Sequence, residues 1–483
     1  MQALGEVDYG LLGVIGGMIG FVSFFNNLMA GAVGRFYAFA VGSAMKSENE
    51  GEGIELCRRW FSIAFMIHSV ISISLTIIGY PIGVWAVENY LQIPVDKIEP
   101  CIWVWRMSCF SCFVGMFSVP FSAMYSAKQE IAELTIYGFA TTTLNAIFLY
   151  YMISRPGFWL VKYTMWFTCL VVTPQLLIVG MALFRFKECR IRRDYLWDIS
   201  RMRELFVYAT GRCLCALAQV FRGSGMAVLV NKLLGPTQNA AMTIGNTVVG
   251  HAITLTASCK GAMYPAITNA AGKGDFTLMR TLAFRMCKLA SAATLLFALP
   301  LLLECDNVLC LWLKHPPAGA SVLCALVLIS EIVDHLTDGH WMSIFACGRV
   351  TMFNLNEALG IFIGCVISAI LMLLGLGIAS VGYGLIAGHL YALLVKIYFG
   401  RKLCNLSARY WFQHVVVPVA FVIVVSLCFG AVPRTFLPES VIRLSLTCCL
   451  TFLPSMICIW FFLFDYAEKK MVLDALGRVL RRH

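Results

Sequence analysis

Apolar stretches long enough to cross a bilayer alternate with short polar segments along the chain. A transmembrane helix needs about 20 predominantly apolar residues. Helices are predicted rather than the short alternating strands of a membrane barrel, because a spanning segment must satisfy its own backbone hydrogen bonds. The pattern predicts thirteen spans, at residues 11–43, 60–83, 101–126, 133–153, 159–184, 204–230, 239–268, 284–303, 318–346, 353–374, 376–399, 411–431 and 441–465.

The composition agrees with a polytopic all-α membrane protein. Hydrophobic residues make up 60% of the chain and charged residues 13%, and a water-soluble protein of this size would need more polar cover. No loop between spans exceeds about twenty residues, which leaves no room for a soluble catalytic domain. No Ser/His/Asp, Walker-type or zinc-ligand pattern stands at meaningful spacing, so we predict no enzyme, no cofactor and no metal.

One part of the chain repeats. Leu4-Gly5 precedes a glycine-rich apolar run, and Leu234-Gly235 precedes a similar run. A glycine loop at 51–53 has Arg59 six residues on, and a second loop at 272–274 has Arg280 six residues on. Matched segments at nearly constant offset indicate a duplicated unit. The second copy follows an apolar helix at 206–230 and the first has none before it, so the symmetry predicts fourteen spans with the first absent here.

The loop charges give an orientation, because Lys and Arg are enriched in short cytoplasmic loops. With the C-terminus inside, and with Lys162, Arg285, Lys288, Lys396 and Arg443 counted in adjoining loops, 25 of the 37 Lys and Arg lie inside, 7 outside and 5 within spans. We therefore predict an outer N-terminus and a cytoplasmic C-terminus. The net charge of +11 follows from this sidedness and implies no nucleic-acid partner.

The repeat divides the chain into two parallel lobes, because equivalent helices cross in the same direction. We predict an N-terminal lobe at residues 1–185 that lacks its first helix, a basic linker at 186–203, a C-terminal lobe at 204–400, and two further helices with a basic tail at 401–483. The linker mixes Arg with Trp197, Tyr195 and Ile199, a pattern typical of a segment at the membrane interface.

Cations inside predicted spans are costly to insert and usually face a cavity or a partner. Arg212, Gln219 and Arg222 are spaced by 7 and 3, which in a regular helix confines them to a sector of about 80°. A run of cations in a cleft between lobes would hold an anion, such as a diphosphate. The alternative is that end-of-helix cations reach the interface with their long side chains. The candidate anion-binding residues are Arg35, Arg212, Arg222, Lys260, Arg106, Asn27 and Gln219.

Acids cluster on one predicted span. Glu331, Asp334 and Asp338 recur at i, i+3 and i+7 and share a face with His335. Such a set could couple transport to protons or another cation. It could equally neutralise the basic helices, or mark a helix boundary that is drawn in the wrong place.

The twenty cysteines lie mostly in apolar runs, where Cys behaves as a small hydrophobe. Cys109 and Cys112 have CxxC spacing without a second pair, so we predict a packing role for them. Cys305 and Cys310 fall on the predicted outer side and could pair, which the sequence leaves open.

Several motifs together resemble a known family. They are Leu4 to Gly10 (Leu-Gly-x-x-Asp-Tyr-Gly), Gly34-Arg35-Phe36, Pro120 to Glu130, Leu234 to Ala241, and Leu309 to Leu313 followed by Pro316. In this order and spacing the chain resembles the Wzx-type oligosaccharide-lipid flippases of the multidrug/oligosaccharidyl-lipid/polysaccharide (MOP) exporter superfamily. The similarity covers nearly the whole chain, although each motif alone is weak.

The resemblance implies a two-lobed helical bundle like that of the MATE transporters. It implies alternating access, by which a polyprenyl-diphosphate-linked sugar unit, such as an O-antigen or other polysaccharide repeat unit, moves across the bacterial inner membrane. It also implies a cavity lined by the first two helices of each lobe, and a monomer that works beside glycan-assembly enzymes among membrane lipids. Coupling to H⁺ or Na⁺ is a further hypothesis.

Two other functions compete with this one. A MATE-type drug or cation antiporter would carry acids in the early cavity helices, and the core of the first span has none. An integral membrane glycan polymerase or ligase would need a sizeable outer loop, and the predicted outer loops are short.

Overall fold

The computed structural model describes residues 4–20, 33, 36–37, 50–128, 130–155, 157, 159–210, 213–348, 350–466, 468–470 and 473. The secondary structure in these residues is helical, without a β-strand. The chain divides into two compact units, Met1–Ala240 and Ala241–His483. The lobe, linker and tail bounds predicted from the sequence stay a prediction.

Unit 1 is built from long apolar helices joined by short turns. Its aromatic core surrounds Phe61, with the Phe121 ring 5.1 Å away in an edge-to-face contact. The described helices are α1 (residues 6–20), α2 (Glu50–Trp85), α3 (Ile98–Ala127), α4 (Ile131–Ile153), α5 (Leu160–Arg185), α6 (Ile199–Thr210), α7 (Cys213–Val220), α8 (Met226–Leu234) and the start of α9 (Pro236–Gly272).

Unit 2 contains most of α9 and the helices that follow it. Glycines bring the helices Thr351–Leu373 and Ala379–Cys404 close together: a Cβ on Gly364 would lie 2.7 Å from the Gly384 carbonyl oxygen. The helices are α10 (Phe276–Leu313), α11 (Ala320–His335), α12 (Asp338–Ala346), α13 (Thr351–Leu373), α14 (Ala379–Cys404), α15 (Ala408–Trp411), α16 (Val417–Phe436) and α17 (Val441–Cys458).

The prediction of a polytopic all-α membrane protein is confirmed. Ten helices of the described residues are long and apolar enough to span a membrane, and the bent pair α11 and α12 makes an eleventh. Two further predicted spans fall outside this count. The first, at 11–43, runs into residues that the structure does not describe, and α9 has the length of a span but carries more polar side chains.

Small residues let helices approach closely in a membrane bundle. In unit 1, a Cβ on Gly17 would lie 2.9 Å from the Ala227 Cβ, and one on Gly20 would overlap the Ser224 hydroxyl. Gly16 is different, because a Cβ there meets no atom of the described residues within 4 Å. Gly17 and Gly20 therefore lie at close helix contacts, whereas Gly16 is exposed.

A buried ion pair ties α10 to α17. Glu304 has non-helical dihedrals, with φ of −114° and ψ of 24°, and its carboxylate is fully buried. Arg443 donates to Glu304 Oε2 from Nε at 3.3 Å and from a terminal nitrogen at 3.0 Å. The Asn307 amide donates to Glu304 Oε2 at 3.1 Å, and the Thr447 hydroxyl donates to Glu304 Oε1 at 3.0 Å. Arg443, which the charge count assigns to the adjoining loop, lies in the first turn of α17 and is 7% exposed.

Candidate functional site

A break between α11 and α12 lies at the centre of a polar cluster in unit 2. The two helices meet at an angle of 46°, with Leu336 and Thr337 between them. Trp411 Nε1 donates to the Leu336 carbonyl at 2.8 Å, and Thr337 Oγ1 donates to the Asp334 carbonyl at 3.2 Å. Broken helices are tolerated in membranes where such partners satisfy the freed backbone groups. The break is thus a stable element that can present polar side chains.

Asp338, the first residue of α12, binds partners on two other helices. Its Oδ1 lies 2.9 Å from Lys260 Nζ on α9, and its Oδ2 lies 2.8 Å from His335 Nδ1 at the end of α11. Asp338 and His335 are buried, whereas the Lys260 side chain is 32% exposed. Lys260, a candidate for anion binding, therefore has an acid of the predicted acidic set as its ion-pair partner.

The other nitrogen of His335 also faces polar groups. Its Nε2 lies 3.5 Å from Glu331 Oε2 and 3.5 Å from Thr256 Oγ1. The imidazole thus stands between the carboxylates of Glu331 and Asp338. Because His is the side chain that changes protonation most readily near neutral pH, this geometry suits a proton relay.

Lys396 on α14 completes the cluster, and the charge count had placed it in a loop. The structure corrects that assignment, because Lys396 is buried within α14 and its Nζ lies 2.6 Å from Asp334 Oδ1. His389, two turns earlier on α14, has its Nδ1 3.0 Å from the Ser330 carbonyl. The spacing of His389 and Lys396 by seven residues was the sequence signal that could have found them.

Three members of the cluster could offer ligand atoms to a cation. The donor atoms of Asp334, His335 and Asp338 all lie within 4.8 Å of one another. However, Lys260 and Lys396 already supply positive charge to the two aspartates. A divalent cation would have to displace both ammonium groups, so the arrangement suits proton exchange better than a resident metal.

Arg222 lies near the middle of the apolar segment Leu214–Leu234 and is half-buried. It belongs to a π-helical turn, Phe221–Gly225, between α7 and α8. Such single turns inside α-helices often occur at functional sites. Gln219, one turn earlier, is exposed. The 80° sector expected for a regular helix is not kept through this turn, because a π turn adds one residue to the helical register.

Arg106 is exposed on α3 and contacts aromatic side chains of unit 1. Its guanidinium lies 4.6 Å from the Trp103 ring centroid, and its Nε donates to the Tyr80 hydroxyl at 3.4 Å. Three other candidates for anion binding, Arg35, Asn27 and Arg212, lie outside the described residues.

The predicted linker packs against α2. Arg192 donates to Glu55 Oε1 at 2.7 Å, and the Tyr195 hydroxyl donates to the same oxygen. The Glu55 carboxylate accordingly raises the pKa of Arg192. Trp197 and Ile199 are exposed, with 72% and 76% of their surface accessible. The predicted position of this segment at the membrane interface stays a prediction.

The cysteines named in the sequence analysis are all free thiols. Cys305 is buried and donates to the Ser321 carbonyl at 3.5 Å, whereas Cys310 is exposed. Cys109 is buried and Cys112 is half-buried, as expected of packing residues.

Comparison with known proteins relates this fold to a class of transporters. No family model and no curated sequence matches the chain. Among solved structures, the chain is similar to a multidrug resistance MATE family transporter of the MOP superfamily in an inward-facing conformation. The TM-score is 0.62 at 15% identity, over 84% of this chain and 95% of that one.

The chain is also similar to the lipid II flippase MurJ in an inward closed conformation. The TM-score is 0.61 at 10% identity, over 94% of this chain and 96% of the flippase. At these identities the likeness shows the fold. This chain is thus a multi-pass helical membrane protein with the fold of MOP-superfamily transporters.

Proposed function

We propose that this protein is a transporter of the MOP superfamily that flips a polyprenyl-diphosphate-linked oligosaccharide across the bacterial inner membrane. Its fold is shared with both a drug transporter and a flippase for a lipid-linked substrate. The specific cargo follows from the Wzx-type motifs of the sequence and from the charge of the candidate site. In this proposal the protein is not an enzyme.

The observation that carries the proposal is Arg222, a half-buried cation near the middle of an apolar segment. A cation at that depth is costly unless it has a function or a counter-ion. A guanidinium can grip a diphosphate with paired donors. In the proposal Arg222 does so together with Arg212 and Arg35, and Gln219, Asn27 and Arg106 bind polar groups of the same cargo.

The acidic cluster would drive the cycle. In the proposal Glu331, His335 and Asp338 exchange a proton as the protein alternates between conformations. In the conformation described above, Lys260 pairs with Asp338 and Lys396 pairs with Asp334. In this mechanism Lys260 acts mainly in coupling, and its predicted role in anion binding is secondary.

Complementation tests the proposal. A bacterial strain that lacks its own oligosaccharide-lipid flippase should regain surface polysaccharide when it expresses this chain. Arg222→Ala should abolish that recovery and Arg222→Lys should restore part of it, because lysine keeps the charge but loses the paired donors. Lys232→Ala is the matched control, since it removes a half-buried cation near the C-terminal end of the same apolar segment.

The outcome is read against the amount of protein in the membrane. Full polysaccharide with Arg222→Ala at equal abundance would contradict the proposed anion site. Accumulation of single lipid-linked units on the outer leaflet of a deletion strain would instead favour a polymerase.

A MATE-type antiporter is the second candidate, and the acidic cluster favours it. Paired carboxylates and a histidine in a broken span suit exchange of a cationic drug against protons. Drug resistance that this chain confers and that Asp338→Asn removes would support this function. If deletion of the protein removed surface polysaccharide and left drug resistance unchanged, the antiporter function would be excluded.

A further inference from the structure

A cavity of about 440 Å³ opens at one end of unit 2, and the functions proposed above do not use it. Three parts of the chain line it: the first turns of α10, the turn between α14 and α15, and the residues that follow α17. Its wall offers three cations and several hydroxyl groups. These groups include Arg280, Arg285, Lys288, Thr277, Thr281 and Tyr410.

Two of the three cations are neutralised by the chain. Lys288 Nζ lies 2.6 Å from Asp465 Oδ2 and 3.6 Å from Glu468 Oε2. Arg285 Nε lies 3.3 Å from Glu468 Oε1. Lys288 and Glu468 are almost completely buried, so these pairs form a fixed part of the wall. Two carboxylates thus balance two cations.

Arg280 is the third cation. A terminal nitrogen of its guanidinium donates to the Thr277 hydroxyl at 3.3 Å. Within the part of the chain that the structure describes, no carboxylate lies within 4.0 Å of it. Among the described residues the cavity therefore keeps one positive charge without a counter-charge. The Tyr410 hydroxyl adds a donor to the wall, whereas the Thr281 hydroxyl already donates to the Thr277 carbonyl at 3.0 Å.

The sequence repeat shows what the equivalent arginine does in unit 1. Arg59 stands at the same place in the repeat as Arg280, six residues after a glycine loop. The chain itself supplies its partner, because the guanidinium lies 4.8 Å from the centroid of the Tyr195 ring. Tyr195 comes from the linker and bonds to Glu55. Arg280 has an open cavity beside it instead, which favours an occupant from outside the chain.

The surroundings of the cavity indicate the chemistry of that occupant. The cavity lies at the ends of three apolar helices. Phe276 begins α10, Phe461 and Phe462 shortly precede Asp465 of the cavity wall, and all three phenylalanines are exposed. A basic pocket between transmembrane helices close to the interface is typical of a site for an anionic lipid headgroup. A single uncompensated charge matches the single charge of a phosphodiester.

We propose that this cavity binds the phosphodiester headgroup of an anionic phospholipid, with the Arg280 guanidinium on the phosphate and the Tyr410 hydroxyl donating to one of its oxygens. The site is separate from the proposed path of the transported cargo. It does not depend on which cargo is carried, because none of its residues belongs to the candidate transport site.

Binding to the full chain in detergent tests the proposal. Titration with phosphatidylglycerol should raise Tm and saturate, whereas phosphatidylcholine should not. Arg280→Gln should weaken phosphatidylglycerol binding about tenfold or more, because it removes a charge-assisted hydrogen bond. Arg401→Gln is the matched control: it removes an exposed arginine from the last turn of α14, outside the cavity wall, and should bind like the wild type.

Each result decides the question. Equal affinity of wild type and Arg280→Gln for phosphatidylglycerol, or equal loss in both arginine variants, would overturn the site. Displacement of phosphatidylglycerol from the wild type by millimolar inorganic phosphate or glycerol phosphate would overturn the lipid assignment. Should Arg280→Gln fail to fold, Tyr410→Phe carries the same test, since it keeps the charge and the ring and removes the hydroxyl donor.

Discussion

Lys260 Nζ and Asp338 Oδ1 lie 2.9 Å apart, which joins α9 to the broken helix pair of unit 2. The aspartate is buried and also holds His335 Nδ1 at 2.8 Å. One carboxylate thus fixes both a cation and an imidazole. Removing its charge should disturb both.

Asp338→Asn should lower the free energy of unfolding by about 1 to 3 kcal/mol, because a buried charge-assisted contact is lost on two sides. Thermal unfolding in detergent measures this effect. Asp306→Asn, at an exposed carboxylate of the same unit, should leave Tm nearly unchanged. The double variant Lys260→Gln with Asp338→Asn should lose less stability than the sum of the two single variants. Simple additivity would contradict the pairing.

Much of the fold could be predicted from the sequence, because a bilayer enforces long apolar helices. The acids of α11 and α12 were found by their spacing, and the structure adds their partners. The buried partners of Lys396 and Arg443 could not be predicted, because a cation near the end of an apolar run has the same sequence pattern whether it reaches the interface or turns inward. Only the neighbouring helices decide between these two positions.

The register of Arg222 shows a second limit. A regular helix of 3.6 residues per turn would place Arg212, Gln219 and Arg222 in one sector, but a π turn begins at Phe221. A π turn has no reliable composition signal in a single sequence, since it inserts one residue into an otherwise ordinary helix. Likewise, the break at Leu336 and Thr337 falls in a segment without glycine or proline at the bend.

Gly10 and Gly16 should respond differently to alanine although both lie in α1. A Cβ on Gly10 would stand only 1.9 Å from the Pro236 carbonyl oxygen, so Gly10→Ala should destabilise unit 1 by about 1 to 3 kcal/mol. A Cβ on Gly16 meets no atom of the described residues within 4 Å, so Gly16→Ala should be neutral or slightly stabilising. The two Tm values, measured side by side, check this difference. A larger loss at Gly16 would contradict the packing of α1.

Cys189 should resist alkylation in the folded protein. Burial, together with the nearby Glu188 carboxylate, raises the pKa of its thiol to about 12. At pH 8 the thiol is therefore neutral and unreactive, whereas the exposed Cys310 should label quickly with a maleimide. Variants that keep only one of these two cysteines allow the rates to be compared.

The same shift predicts how stability depends on pH in that region. The folded state keeps the Cys189 proton up to about pH 12, whereas the unfolded thiol loses it near its ordinary pKa of 9.0. The contribution is fully present below pH 9.0 and is lost as the pH rises toward 12. Cys189→Ser should reduce this alkaline loss, and an unchanged pH profile would contradict the burial of the thiol.

Glu304 and Glu439 both face Arg443, and they provide a matched pair of substitutions. Glu304 is fully buried and accepts from Arg443 at 3.0 Å, whereas Glu439 is 64% exposed and lies 3.5 Å from the same nitrogen. Glu304→Gln should lower Tm by about 5 °C or more, because it leaves the guanidinium without a buried counter-charge. Glu439→Gln should change Tm little, since exposed ion pairs contribute weakly. Because both variants remove one carboxylate from one arginine, only the difference in burial separates them, and equal Tm shifts would show that the α10–α17 contact does not depend on the buried pair.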